Sequence, residues 1–102
     1  MDSFVALLKK IESNPKLFLG EKDLRRLRFF ISGYLMCEGD NGKTGSLTLM
    51  EAFYSYFESI YGIRSYYHCT DVLRQECGSE EEAFDKFFEL FNAFLDSEST
   101  KE

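Results

Sequence analysis

Tryptophan is absent from this 102-residue chain, proline and histidine occur once each, and cysteine three times. Each shortage excludes something. With His68 as the one histidine and no C-x-x-C, the cysteines cannot complete a zinc ligand set. Cys37, Cys69 and Cys77 are odd in number and widely spaced, which excludes a disulfide scaffold. Each sits among apolar or aromatic residues, so three reduced, mostly buried thiols in a reducing compartment are expected. The single proline, Pro15, and the lack of any low-complexity run exclude a disordered chain. No apolar run approaches the ~18 residues of a membrane span. No charged start followed by an apolar stretch marks a secretory signal. A cytoplasmic protein without membrane contact is expected.

Catalytic signals are equally sparse. His68 and Cys69 are neighbours in sequence, and successive helical side chains diverge by about 100°, so they are no nucleophile–base pair. A catalytic carboxylate pair needs a cleft, for which so short a helical chain has little room. The loop Glu38-Gly39-Asp40-Asn41-Gly42-Lys43-Thr44-Gly45 has too few acidic ligands for an EF-hand. Its Gly42-Lys43-Thr44 resembles the end of a phosphate-binding loop, but the upstream glycine of that motif falls on Cys37. The expectation is a non-enzymatic protein with no cofactor, no metal and no small-molecule substrate.

What is abundant is phenylalanine: 11 of 102 residues. Phe84, Phe87, Phe88, Phe91, Phe94 and Leu95 recur at helical spacing, and Ser79 with Glu82 reads as a capping box. Glu80 to Glu82 also suit the positive end of the helix dipole. This predicts a helix from Ser79 to Leu95 whose aromatic stripe is buried, followed by a frayed tail over 97–102. A first helix is predicted from Ser3 to Glu12, with Phe4, Leu7, Leu8 and Ile11 inward. Pro15 to Gly20 reads as a short extended connector burying Leu17 and Phe18, with Leu19 as a third candidate. A second helix, Glu21 to Cys37, buries Leu24, Leu27, Ile31 and Tyr34/Leu35. It also carries Phe29, Phe30 and Met36 on other sides, and a helix so apolar all round is expected to be central and covered. Gly33 in its middle predicts a close helix crossing. A third helix from Ser46 or Thr48 ends at Tyr61-Gly62, with Gly62 as C′ glycine, and turns Leu49, Phe53, Phe57 and Ile60 inward. A fourth, capped by Ser65 and ended by Gly78, turns Tyr66, Cys69, Val72 and Leu73 inward. The fold expected is all-α, one domain, a compact bundle of about five helices.

Charge is divided along the chain. Residues 1–35 carry seven basic and four acidic side chains, a net +3; residues 36–102 carry five and fourteen, a net −9. The acidic portion argues against nucleic acid as partner and suits a basic protein. The basic residues Lys22, Arg25, Arg26 and Arg28 are expected to pair with carboxylates on this protein or a partner.

Taken together, Phe18-Leu19-Gly20, Phe30-Ile31-Ser32-Gly33-Tyr34, Phe53 to Phe57 with Tyr61-Gly62, Ser65-Tyr66, and Glu82-Ala83-Phe84 to Phe94 resemble a known pattern. Over residues 4–95 the chain is similar to small all-helical bacterial immunity proteins encoded beside polymorphic or contact-dependent toxins. Tyr66-Tyr67 depart from it, standing where a tryptophan is common. The resemblance implies an inhibitor that binds a cognate toxin domain and blocks its active site, with no catalytic residues of its own. A basic, nuclease-type toxin suits the charge. Partner-binding candidates then follow from charge and exposure: an outward strip Glu51–Tyr54–Glu58, the loop residues Glu38 and Asp40, and Tyr61, Tyr67, His68 and Asp71. Two alternatives use the same residues differently. One is a regulatory or structural interaction module, including a homodimer through Phe29, Met36 and Tyr66. The other is a small enzyme.

Overall fold

A computed structural model describes residues 3–62 and 69–99. Among them are six helices and no strand: α1 (Ser3–Ser13), α2 (Pro15–Leu19), α3 (Leu24–Asp40), α4 (Gly45–Tyr61), α5 (Cys69–Glu76) and α6 (Glu80–Ser99). The all-α bundle is as expected. The sixth helix comes from the connector, which is helical rather than extended. Pro15 at its first position lacks only an N–H that a helix start leaves unused. One turn later the Gly20 N–H donates to the Lys16 carbonyl at 2.9 Å. That turn points Leu17 and Phe18 outward; Leu17 is 78% exposed. Leu19 alone of the three packs against the core.

α6 organises the bundle by packing on α3, α4 and α5. Phe84, Phe87, Phe88, Phe91 and Phe94 are all buried, joined by Ala83 and Leu90. The cap differs from the expected box in one contact. The Glu82 N–H donates to Ser79 Oγ at 3.1 Å, but the Glu82 carboxylate accepts from Gly78 N–H at 3.2 Å, one residue before the capping serine. The helix also continues past Leu95 to Ser99, so its last turn includes part of the expected tail. α1 lies across this frame: its Phe4 ring is 5.0 Å from that of Tyr34 on α3, and Asn92 of α6 donates to Glu12 at 3.3 Å.

α3 starts later than Glu21 because Asp23 caps it, its Oδ1 accepting from Arg25 N–H at 2.7 Å and Arg26 N–H at 3.3 Å. It also runs three residues beyond Cys37. Its coverage is one-sided. Leu24, Leu27 and Ile31 are buried, whereas Phe29 is 61% and Met36 71% exposed, and Cys37 is exposed as well. The helix is therefore not enclosed, and the expectation of mostly buried thiols fails at Cys37. No helix among the described residues crosses at Gly33 either: a Cβ there would meet nothing within 4 Å. Gly33→Ala should therefore raise folding stability by up to ~1 kcal/mol through helix propensity alone, read as a higher urea midpoint with an unchanged slope.

On α4 the buried stripe is Ser46, Met50, Phe53 and Phe57. It continues to Tyr61, whose ring stacks on Phe57 at 4.5 Å between centroids. Ile60, expected inward, is half exposed, because the aromatic stack gives the stripe's last position to Tyr61. Gly62 ends the helix in the left-handed region (φ 66°, ψ 26°), its N–H donating to the Glu58 carbonyl at 2.8 Å. The expected cap Ser65 and the inward Tyr66 lie outside the described residues. From Cys69 on, α5 buries Cys69, Val72 and Leu73 as its periodicity requires.

Candidate functional site

The proposed strip on α4 divides on inspection. Glu51 and Glu58 are exposed, as expected. Tyr54 is not an exposed tyrosine. It is half-buried and packs against the core, its ring 5.9 Å from that of Phe53. Burial raises its phenol pKa well above the usual value, with Cys69 adding to the shift and Arg28 opposing it. The reason is the crossing of α3, α4 and α5, which turns Tyr54 toward the other two helices. Only Glu51 and Glu58 remain as outward groups of the strip, about two helical turns, or ~10 Å, apart.

At the same junction Arg28 of α3 pairs with Asp71 of α5 at 3.3 Å. Asp71 therefore has an internal role as well as a half-exposed position. Tyr67 and His68 lie outside the described residues. Tyr61 is half-buried, and desolvation is the leading cause of its raised pKa.

Glu38 and Asp40 form the last turn of α3, and residues 41–44 join them to the start of α4. Backbone bonds hold this turn: the Lys43 N–H donates to the Glu38 carbonyl at 2.9 Å, and the Asn41 side-chain amide to the Cys37 carbonyl at 2.9 Å. Asp40 is exposed. Glu38 is half-buried, and its Oε1 is shielded from solvent without a hydrogen-bond partner. Beside it is a cavity of about 380 Å³ lined by Ser3, Tyr34, Cys37, Glu38, Asn41 and Lys43. Sequence reasoning missed this cavity, because Ser3 and Tyr34 reach it only through the packing of α1 on α3. A second hollow, about 470 Å³, lies between the α2–α3 turn and the start of α6, lined by Lys16, Lys22, Ser79 and Glu80 among others.

The basic residues of α3 and its approach are mostly consumed inside the protein. Lys22 pairs with Asp85 at 2.8 Å, Arg28 with Asp71, and Arg26 Nη1 donates to the Leu19 carbonyl at 2.9 Å. Arg74 likewise pairs with Glu80 at 2.8 Å. These exposed pairs are each worth at most about 1 kcal/mol. Their larger effect is on the potential, since they neutralise Asp71, Glu80 and Asp85 locally. Glu51 and Glu58 have no such partner among the described residues. α4 holds no lysine or arginine at all, and its exposed residues between the two glutamates are small, Ala52 and Ser55, with Ser59 just beyond.

Chemically, this surface can accept hydrogen bonds and attract cations. Among the described residues no group of three or more His, Cys, Asp or Glu side chains could hold a metal ion, and no helix is long and apolar enough to cross a membrane. No family model matches the chain, and no curated protein and no solved structure matches it.

Proposed function

We propose that the protein is an immunity protein, a cytoplasmic inhibitor that binds a cognate basic toxin domain, of nuclease type, and covers its active site. The observation that carries this reading is the outer surface of α4. It presents Glu51 and Glu58 without a neutralising cation among the described residues, on a rigid helix, beside side chains small enough to allow close approach. Such a face attracts a basic cleft over long range and can occupy the place of a phosphate. Asp40 and Glu38 extend the acidic character at one end of α4, and Tyr61 supplies an aromatic edge at the other. Tyr54 supports this surface from within the bundle, while Asp71 pairs with Arg28 of α3. The overall charge of −6 and the resemblance to immunity proteins favour the same partner.

Co-expression with a toxin domain encoded beside the protein's gene tests the proposal. Rescued growth and co-purification are expected. Continued lethality with no complex would reject it. Within a complex, Glu51→Lys with Glu58→Lys should weaken association at least about tenfold at low salt and flatten its dependence on ionic strength. Titration calorimetry at two salt concentrations measures both effects; unchanged affinity at low salt removes α4 from the interface.

A further inference from the structure

α3 has an outer face, carrying the exposed Phe29 and Met36, that nothing among the described residues covers. Opposite the buried Leu24, Leu27 and Ile31, the residues Arg25, Phe29, Ser32, Gly33, Met36 and Asp40 share a stripe roughly 100° wide by the helical period. All six are exposed. The glycine in the middle costs helix propensity, and no neighbour uses the room that it leaves. We propose that this stripe is a self-association surface: two copies pack α3 against α3, antiparallel, around a two-fold axis passing between Ser32 and Gly33.

The stripe is self-complementary about that axis. Arg25 comes opposite the partner's Asp40, and Phe29 opposite the partner's Met36. Ser32 and Gly33 meet at the crossing, where small side chains let helix axes approach to about 8 Å. Sulfur–aromatic contact suits the Phe–Met pairs. Neither Arg25 nor Asp40 joins an ion pair among the described residues. Arg25 rests over the Phe29 ring at 5.9 Å, which places its guanidinium on the stripe. A parallel arrangement would set Arg25 against Arg25 and Asp40 against Asp40. Charge thus selects the antiparallel one, and each patch meets an identical patch, as a closed dimer requires. The stripe is on a different helix from Glu51 and Glu58 and shares only Asp40 with the proposed toxin-binding surface, so this inference does not depend on that reading.

The register sets distances that can be tested. Cys37 would lie nine residues along the axis from the partner's Cys37, about 13 Å, beyond disulfide reach. Ser32 would lie one residue from its counterpart. Sedimentation equilibrium should give a mass near twice 11.9 kDa at high concentration. Arg25→Asp should raise the dissociation constant at least about tenfold, and Gly33→Glu should yield monomers. Arg25→Asp combined with Asp40→Arg should restore the dimer, because the swap keeps every cross-axis pair. These side chains are exposed, so the helical circular dichroism should not change. Independently, Ser32→Cys in a Cys37→Ser background should form a disulfide-linked dimer on oxidation, while the wild-type chain should not link through Cys37. A wild-type chain that stays monomeric at near-millimolar concentration overturns the proposal. So does a dimer that Arg25→Asp leaves intact, a charge swap that restores nothing, or a Ser32→Cys chain that does not cross-link.

Discussion

Phe53→Ala should cost about 3–5 kcal/mol of folding stability, the range for removing a fully buried phenylalanine. Phe53 is wholly inaccessible to solvent. It is also where α4 meets the stripe of α6, its ring lying edge-on to Phe87 at 5.4 Å, Phe91 at 5.2 Å and Phe94 at 5.7 Å. Edge-to-face pairs contribute about 0.5–1.5 kcal/mol beyond the area they bury. Truncation loses three of them and leaves a cavity that rings on one rigid helix cannot close by moving separately. A domain of this size has some 5–15 kcal/mol in all, so the variant should lose a large fraction of its stability. Urea unfolding followed by circular dichroism measures the loss. Leu17→Ala, at a side chain mostly in water, should change stability by about 0.5 kcal/mol or less in the same assay. Similar midpoints for the two variants would contradict the packing described here.

Alkaline pH should unfold the protein through the α3–α4–α5 junction. Cys69 is buried there, and loss of solvation pushes its thiol up to about 12; Arg28 opposes the shift without cancelling it. Tyr54 beside it is raised as well, by burial first and by Cys69 second. Both groups hold their protons more tightly folded than unfolded. Their contribution is therefore complete below the unfolded thiol value near 9 and falls as pH rises toward the folded value. For Cys69 alone the slope is up to roughly 1.4 kcal/mol per pH unit across that window, on the order of 4 kcal/mol in total. The urea midpoint measured at successive pH values should fall steadily above pH 9. Cys69→Ala should flatten the first part of that fall and leave the tyrosine part. A midpoint independent of pH from 9 to 11 would show that the junction is wet. At neutral pH the same burial should protect Cys69 from thiol reagents that modify the exposed Cys37 at once.

Much of the architecture was legible along the chain because it depends on neighbours three or four residues apart. The α6 stripe, the Ser79 cap, the Gly62 stop and the inward face of α5 are all of this kind. So are Leu24, Leu27 and Ile31 on α3. Errors arose where local signals were degenerate. Pro15 permits either an extended segment or a first helical turn, and the second prevailed, turning Leu17 outward. Tyr54 stands between two outward glutamates in sequence, yet the crossing of α3 and α5 draws it in.

The candidate surface was legible in kind but not in membership. Glu51 and Glu58 needed only the α4 period and the absence of lysine and arginine from that helix. Asp71 could not be assigned without knowing that Arg28, 43 residues away, comes within 3.3 Å of it. Short-range periodicity and capping chemistry thus determined that the chain is helical, where α4 stops and α6 starts, and which face of most helices is apolar. Tertiary structure alone decided that α3 is covered on one face only, which carboxylates are neutralised and which tyrosine is buried. Those outcomes depend on contacts between residues far apart in sequence, and a helix with apolar residues on several sides carries no local mark of how many of those sides its neighbours will cover.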